Sequence, residues 1–268
     1  MSGHHIEQGK FLNDQWFLID SGEQNGFYNM AADEEMLNFE KPVLRIYAFK
    51  PFCLTIGYFM NTAETLNIEY LKKNNIDFTR RITGGKAVLH ANEITYSLVV
   101  PISLFNNSVI QAYKKSAQAL RRAFSLCGIK VSSTGEENTS AAAVCFAGKS
   151  KYEITFGNKK VAGFAQKKMG DKILQHCSIP FDIDFNMLAD CFIDKSYIPE
   201  NLKNKMAGIN QITEKNENYK SFSQKLIHGF SENFNINFSN YEFTDSQKQN
   251  IYNQIGKKYV MPCWINKK

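Results

Sequence analysis

Three short strand-like segments follow one another between residues 152 and 181, and this run constrains the fold more than any other part of the sequence. The segments 152–157, 160–168 and 172–181 each contain β-branched and aromatic residues, as strands do. Gly157-Asn158 and Gly170-Asp171 separate them, and pairs of this kind form tight hairpin turns. Because strands joined by tight turns lie antiparallel, the run predicts an antiparallel meander.

Helical patterns lie on both sides of the meander. Apolar residues recur at steps of three and four from Val109 to Cys127, which places them on one face of a helix that Gly128 can end. Phenylalanine or leucine recurs every four residues from 222 to 234, which predicts a second helix. Thr244 followed by Gln247 resembles a capping box that opens a last helix.

The N-terminal half contains both kinds of element. Asn29 is placed to cap a helix that runs to about Phe39, and the segments 44–49, 53–58 and 93–101 have the composition of strands. The predicted fold class is α+β, with mixed, largely antiparallel sheets flanked by helices. One domain over residues 13–243, with a helical tail over 244–268 packed on it, accounts for the whole pattern.

Composition excludes several classes of function. The formal charge of +6 is spread along the chain without a long basic block, so we predict no nucleic-acid partner. No apolar run reaches the roughly 20 residues that cross a bilayer, and the first residues lack the order of a signal peptide. We therefore expect a cytoplasmic protein with no membrane partner. The six cysteines show no CxxC spacing, which predicts free thiols and no metal site.

The segment 80–90 carries the clearest chemistry. It reads RRITGGKAVLH, so two glycines that let the backbone approach a ligand stand among cationic side chains. The candidate ligand-binding residues are Arg80, Arg81, Gly84, Gly85, Lys86 and His90. From these residues alone, the segment fits either a ligand loop or an ordinary tight turn on a basic surface. The histidine fits either a residue that faces the ligand or one that is hydrogen-bonded within the fold.

The same segment resembles the RRxTGGxAVxH signature of the superfamily of biotin and lipoate protein ligases and octanoyltransferases. Four further stretches agree with that superfamily in order and spacing. They are NMAADEEML (29–37), LRIYAFKPFCLTIGYF (44–59), KKVAGFAQ (159–166) and ILQHCSIP (173–180). The resemblance runs from about Trp16 to Trp264, and it implies that residues 13–243 form the catalytic domain of this superfamily.

A fifth stretch indicates which branch of the superfamily this chain resembles. AVCFAGKSKYEI (143–154) resembles the loop of octanoyltransferases of the LipM type, in which a cysteine takes the acyl group. The resemblance implies that Cys145 is the nucleophile, that Lys160 holds the acyl carbonyl, and that Gly163 helps to shape the acyl tunnel. A cation beside the cysteine would lower the thiol pKa and stabilise an oxyanion. From the residues alone, Cys145 fits an inert thiol and Lys160 a surface lysine.

The implied activity is transfer of an octanoyl group from octanoyl-acyl carrier protein to the lysine of a lipoyl domain, in lipoate biosynthesis. The implied acceptor is the glycine-cleavage H protein or the acyltransferase subunit of a 2-oxoacid dehydrogenase. No cofactor is expected, because exchange between thioesters requires no nucleotide. Three alternatives stay open: an amidotransferase between lipoyl domains, an ATP-dependent lipoate-protein ligase, and a non-catalytic binding module.

Four positions depart from the superfamily pattern. Lys86 stands where ligases have a third glycine, which argues against a loop that cradles a nucleotide. Phe49 replaces a tryptophan, Met60 a glutamine and Cys177 a glycine.

Overall fold

The computed structural model describes residues 15–134, 153–213 and 215–267. Its strands are Trp16–Gln24 (β1), Val43–Phe49 (β2), Cys53–Ile56 (β3), Asp77–Arg80 (β4), Val88–His90 (β5), Glu93–Pro101 (β6), Ser132–Thr134 (β7), Glu153–Phe156 (β8), Lys159–Met169 (β9), Lys172–Pro180 (β10) and Phe238–Asn240 (β11). Its α-helices are Gly26–Glu35 (α1), Thr62–Thr65 (α2), Ile68–Lys73 (α3), Val109–Leu126 (α4), Phe185–Asp190 (α5), Pro199–Lys205 (α6), Tyr219–Phe234 (α7), Asp245–Gln254 (α8) and Pro262–Ile265 (α9). Short 3-10 turns at Met36–Asn38 and Ile102–Phe105 and a π-helical turn at Ile255–Tyr259 accompany them.

Eight of the strands form one large sheet in the order β11-β1-β2-β6-β10-β9-β8-β7. β1 is parallel to both of its neighbours, and every other pair in this sheet is antiparallel. The predicted meander is β8, β9 and β10, and its turns contain Gly157 at φ 58° and Gly170 at φ 61°. The predicted α+β class with a mixed, largely antiparallel sheet is confirmed.

The large sheet has two unlike faces. Successive residues of a strand point to opposite faces, and on β6 the even-numbered residues from Ile94 to Val100 belong to the core below α4 and α7. The residues that alternate with them include Glu93, Thr95 and Ser97, which are buried although they are polar. We call the side that carries them the polar face. Buried polar groups need hydrogen-bond partners, so this face is where a site is expected.

A small sheet, in the order β4-β3-β5, and helix α1 cover the polar face. β3 runs parallel to β4 and antiparallel to β5. Met30 and Ala31 of α1 pack with Tyr47 of β2 and with Cys53 of β3 in one apolar cluster. The two sheets therefore face each other with the buried polar side chains between them.

The first helix begins earlier than the sequence predicted. Asn25 caps α1 by accepting a hydrogen bond from the backbone of Tyr28, whereas Asn29 lies inside the helix. The Asn29 side chain is fully buried, donates to the carbonyl of Ala48 and accepts from the Arg45 guanidinium. The predicted cap at Asn29 was wrong because the hydrogen bonding that favours asparagine at a cap is used here to hold a buried cation.

The other helical predictions are confirmed. α4 follows the predicted apolar stripe and ends at the C-cap Cys127, next to Gly128 at φ 76°. α8 opens with the capping box of Thr244 and Gln247. Beyond it, Lys258 and Tyr259 bind the carboxylate of Glu34 on α1 at 2.7 and 2.6 Å. This C-terminal segment therefore contacts the helix that covers the polar face.

The described ranges contain neither a membrane-spanning helix nor a cluster of metal ligands. No helix there is both long and apolar enough to cross a membrane. No cluster of three or more histidine, cysteine, aspartate or glutamate side chains there has the arrangement of a metal site.

Candidate active site

Two adjoining cavities lie where the polar face of the large sheet meets the small sheet. The inner cavity, of about 20 Å³, is lined by residues from β2, β3, β5, β6, β9 and β10. The outer cleft, of about 270 Å³, is lined mainly by apolar side chains, among them Ala87, Leu89 and Met206. Val88 and Ser178 line both. A concave, largely apolar site with a few convergent polar groups is the usual form of a ligand site.

One hydrogen-bond network joins the two cavities through Glu93. Its carboxylate accepts hydrogen bonds from Thr95 at 2.5 Å and from the hydroxyl of Ser178, and its contact with His90 Nδ1 measures 2.7 Å. The other ring nitrogen of His90 lies 2.8 Å from the hydroxyl of Thr55. His90 lines the inner cavity and Glu93 the outer cleft. The sequence left open whether His90 faces a ligand or is bonded within the fold; in the structure it is hydrogen-bonded within the fold and also lines the inner cavity.

A second network holds another histidine at the inner cavity. The buried carboxylate of Asp33 binds Arg45 Nη1 at 3.0 Å and Nδ1 of His176 at 3.2 Å. Burial lowers the pKa of His176 and outweighs the opposing effect of Asp33. The neutral ring therefore donates from Nδ1 to Asp33, and Nε2 accepts from Thr83 Oγ1 at 2.7 Å. Thr83 directly precedes Gly84, so this network fixes the start of the glycine pair.

Arg81 fixes the other side of the glycine loop, residues 83–86. Its guanidinium donates to the carbonyls of Gly84 and Lys86 at 2.9 and 2.5 Å and to the carbonyl of Thr55 at 3.1 Å. Gly85 has φ 92°, a conformation that residues with a side chain rarely adopt. Arg81, His90 and Gly163 all line the inner cavity. Of the candidate residues that the sequence indicated, the structure thus brings together Arg81, the glycine loop, His90 and Gly163.

Replacing Gly57 with alanine is expected to displace the glycine loop. A Cβ atom on Gly57 would lie 1.9 Å from the carbonyl oxygen of Gly85. This clash is with the backbone, which cannot rotate away as the end of a flexible side chain can. We expect at least about a tenfold fall in kcat/KM, because small misplacements at a site cost rates of this order. The control is Gly256→Ala, where a Cβ atom meets nothing within 4 Å. Equal kinetics for the two variants would contradict the role given to this contact.

Arg80, unlike Arg81, is not bonded to the glycine loop. Its guanidinium is buried and donates to the carbonyls of Gly57, Tyr58, Trp264, Ile265 and Lys267 and to the hydroxyl of Thr62. A guanidinium has five N–H donors, so these acceptors use all of them. Arg80 therefore anchors the C-terminal segment beside β4, and the expectation that it binds a ligand gives way to this structural role.

Lys160 is buried at the start of β9, and its ammonium donates to the carboxylate of Glu153 at 3.0 Å. Its backbone pairs with Met206, which lines the outer cleft. Cys145 lies outside the described residues. The residues that flank its segment in the described structure, Thr134 of β7 and Glu153 of β8, are partners in adjacent antiparallel strands.

The five described cysteines are free thiols, as predicted, and four of them are buried. Burial raises the pKa of Cys53, and it raises those of Cys127 and Cys191 to about 12. A thiol is nucleophilic only as the thiolate, so these three are inert at neutral pH. Cys263 is exposed on α9.

The structure accounts for two of the four departures from the superfamily pattern. Phe49 stacks on the ring of His90 with 4.0 Å between centroids, so an aromatic side chain keeps its place beside the site. Cys177 is buried in the core cluster that also contains Tyr96 and Phe164, and it borders the inner cavity as well. Nothing in the structure explains the methionine at position 60 in place of glutamine.

Comparison with known proteins agrees with this geometry. Residues 25–231 match the family described as the lipoyl protein ligase A/B catalytic domain. The chain is similar to proteins named octanoyltransferase LipM: it is 34% identical to that of Staphylococcus epidermidis (96% of this chain, 100% of the relative) and 35% identical to that of Clostridioides difficile (92% and 96%). The Bacillus subtilis relative is 32% identical, with 95% and 99% covered.

Solved structures share the fold. The crystal structure of lipoate-protein ligase A bound with ATP aligns with a TM-score of 0.79 and 24% identity, over 94% of this chain and 98% of that chain. The bipartite lipoate protein ligase of Thermoplasma acidophilum aligns with a TM-score of 0.77 and 24% identity, over 94% and 96%.

The chain belongs to the lipoyl protein ligase A/B catalytic domain family. It is an acyltransferase of that family, so the reading as a non-catalytic binding module is set aside.

Proposed function

We propose that this chain takes an octanoyl group from octanoyl-acyl carrier protein onto Cys145 and passes it to the lysine of a lipoyl domain. Octanoyl transfer in lipoate biosynthesis is the activity of this chain, and the relatives that match 95–96% of it are named octanoyltransferases. The donor, the acceptor and the cysteine intermediate are the parts that we propose. The acceptor is the glycine-cleavage H protein or the acyltransferase subunit of a 2-oxoacid dehydrogenase.

One observation carries the proposal for Cys145. Thr134 and Glu153 flank the segment that contains it, and they are strand partners. The carboxylate of Glu153 holds the ammonium of Lys160 at 3.0 Å. The two described residues that border the segment are therefore neighbours in the sheet, and one of them, Glu153, contacts the buried cation that the chemistry requires. The raised pKa values of Cys53, Cys127 and Cys191 leave those thiols poorly suited to the same task.

The proposed reaction has two steps. The Cys145 thiolate attacks the donor carbonyl carbon, the Lys160 ammonium stabilises the oxyanion, and the pantetheine thiolate leaves and takes up a proton. The neutral amine of the acceptor lysine then attacks the Cys145 thioester. The Cys145 thiolate leaves, and the nitrogen loses its proton as the amide forms. The octanoyl chain occupies the region of the two joined cavities, against apolar side chains such as Val88 and Leu89.

The proposal is tested by supplying three acyl sources in parallel with one lipoyl-domain acceptor. We expect octanoyl-acyl carrier protein to be used without ATP and faster than an octanoylated lipoyl domain. Free octanoate with ATP should give no product above the level without enzyme. A preference for the octanoylated lipoyl domain would identify an amidotransferase, and ATP-dependent use of octanoate would identify a ligase. Either result overturns the proposal.

Lys160→Met is expected to lower kcat by about 10²- to 10³-fold, because removal of one oxyanion-stabilising donor has effects of this size. The KM for the donor should change much less, since the ammonium acts on charge that develops in the transition state. The measurement is steady-state transfer from octanoyl-acyl carrier protein. Lys159→Met, at the adjacent and partly exposed lysine, is the matched control. A kcat for Lys160→Met equal to that of the control would rule out the role.

A further inference from the structure

Phe59 is the most exposed large apolar side chain in the described part of the protein. Its relative exposure is 85%, and the next largest value among such residues is 60%, for Tyr252. It projects from a turn that is closed by a hydrogen bond from Met60 N to the carbonyl of Gly57. Its ring packs edge-on against Tyr58 with 4.9 Å between centroids. An exposed aromatic ring on a firmly held turn is a common anchor for a partner protein.

Lysine side chains surround this ring pair. Lys267 Nζ lies 4.2 Å and Lys167 Nζ 4.8 Å from the centre of the Tyr58 ring. Lys267 also donates a hydrogen bond to the Tyr58 hydroxyl. Within the described ranges, neither lysine forms an ion pair with a carboxylate. We call Tyr58, Phe59, Lys167 and Lys267 the Phe59 patch.

The local potential of the patch is positive. The phenol of Tyr58 is affected by this potential. The hydrogen bond and the charge of Lys267 lower its pKa, and the charges of Lys167 and Lys258 act in the same direction. Lys258 is partly neutralised by its contact with Glu34 at 2.7 Å. The patch therefore combines an apolar anchor with a field that attracts anions.

The Phe59 patch adjoins the glycine loop. Tyr58 N donates to the carbonyl of Thr83 at 2.9 Å, and Gly57 lies against the backbone of Gly85. On the other side, Lys167 follows Ala165 on β9 by two residues, and Ala165 lines the inner cavity. A protein that sat on the patch would stand at the entrance to the proposed reaction site.

We propose that the Phe59 patch is the docking surface for the acyl donor, an acidic carrier protein whose phosphopantetheine arm then reaches the glycine loop. This inference rests on the proposed function. Electrostatic complementarity of this kind steers encounter and fixes orientation. The arm begins with a phosphodiester, which carries a negative charge that the patch lysines attract.

The charges favour the donor over the acceptor on this surface. The acceptor presents a lysine ammonium, which the cations of the patch repel. Among the described residues, by contrast, the lining of the outer cleft includes the carboxylates of Glu93, Asp182 and Asp184 and no lysine, arginine or histidine. Lys159 and Lys203 line the neighbouring groove. The two sides of the site thus differ in charge as the donor phosphodiester and the acceptor ammonium do.

The test compares two octanoyl donors, octanoyl-acyl carrier protein and octanoyl-N-acetylcysteamine, a small thioester without protein or phosphate. The variant is the double substitution Phe59→Ser with Lys167→Glu. Its matched control is Ile110→Ser with Lys220→Glu, which replaces an exposed apolar residue and an exposed lysine elsewhere and changes the net charge equally. We expect the KM for the carrier-protein donor to rise about tenfold or more in the Phe59 variant. Kinetics with the small thioester should stay within about twofold of the control.

The outcomes separate this inference from the proposed function. Equal losses with both donors would place the effect in the reaction site, and no loss with either would remove the patch from docking; both overturn the inference. A raised KM for the lipoyl-domain acceptor instead would assign the patch to the other partner and overturn it as well. Wild-type protein that used neither thioester would contradict the proposed function itself.

Discussion

Cys145→Ala is expected to lower the rate of octanoyl transfer by about 10³-fold or more, because the variant has no thiolate to form the intermediate. Loss of a covalent nucleophile removes the whole two-step route, so little residual rate is left to the binding groups alone. The measurement is the rate of octanoylation of a lipoyl domain by octanoyl-acyl carrier protein, followed by the mass of the acceptor.

The matched control is Cys263→Ala, at an exposed free thiol of the C-terminal segment. It should transfer octanoyl groups at the wild-type rate and have the wild-type circular dichroism spectrum. Transfer by Cys145→Ala within tenfold of this control would show that the acyl group does not pass through Cys145.

Asp33→Asn is expected to lower the free energy of unfolding by about 3–5 kcal/mol, the usual cost of leaving one member of a buried ion pair without its partner. The substitution keeps the size of the side chain but leaves the Arg45 guanidinium, 3.0 Å away, with its charge uncompensated in the core. It also weakens the acceptor for His176, which holds Thr83 at the glycine loop. The measurement is urea unfolding at pH 7.

The control for Asp33 is Glu23→Gln, in an ion pair of similar length, 2.9 Å, whose side chains are 73% and 57% exposed. Exposed pairs contribute about 0–1 kcal/mol, so this variant should unfold like wild type.

Burial raises the pKa of Asp33, but the hydrogen bond from His176 and the charge of Arg45 outweigh it and leave that pKa lowered. The stabilisation is therefore complete above about pH 3.9, the ordinary aspartate pKa, and is lost as the pH falls through the lower folded value. A difference between wild type and Asp33→Asn that grew with acidification would contradict this.

The sequence predicts the fold well where one local signal decides it. The meander β8–β10, the helix α4 and the capping box at Thr244 each depend on contacts between near neighbours in the chain, and each lies where it was predicted. The helix start at Asn29 was wrong because a distant residue, Arg45, determines what that side chain does. A residue pattern within the first 40 positions cannot show that contact.

The site was predicted only in part, for the same reason. The resemblance located the glycine loop, yet it did not separate Arg81, which holds the loop, from Arg80, which holds the C-terminal segment. Adjacent residues at the end of a strand point in opposite directions. The groups that each side chain contacts therefore depend on the tertiary fold. The sequence alone cannot supply the position of residues 264–267 beside β4.

Asp33, Glu93 and His176 were not among the predicted site residues, although the sequence contains a signal for two of them. Glu93, Thr95 and Ser97 alternate with apolar residues in β6, and His176 and Ser178 do so in β10. In strands that are buried on both faces, a polar residue at every second position marks a face with internal partners. No comparable pattern marks Asp33, because its partners come from β2 and β10.

In the reaction that we propose, the octanoyl group is bound covalently to Cys145 between donor and acceptor. The most direct measurement is to mix the protein with octanoyl-acyl carrier protein in the absence of acceptor, quench in acid and map the adduct by peptide mass spectrometry. We expect one octanoyl group on the peptide that contains Cys145, released by neutral hydroxylamine. The adduct should disappear, and the acceptor should gain the octanoyl group, when a lipoyl domain is added before the quench. An adduct on another residue, or efficient transfer with no adduct at any time, would contradict the proposed reaction.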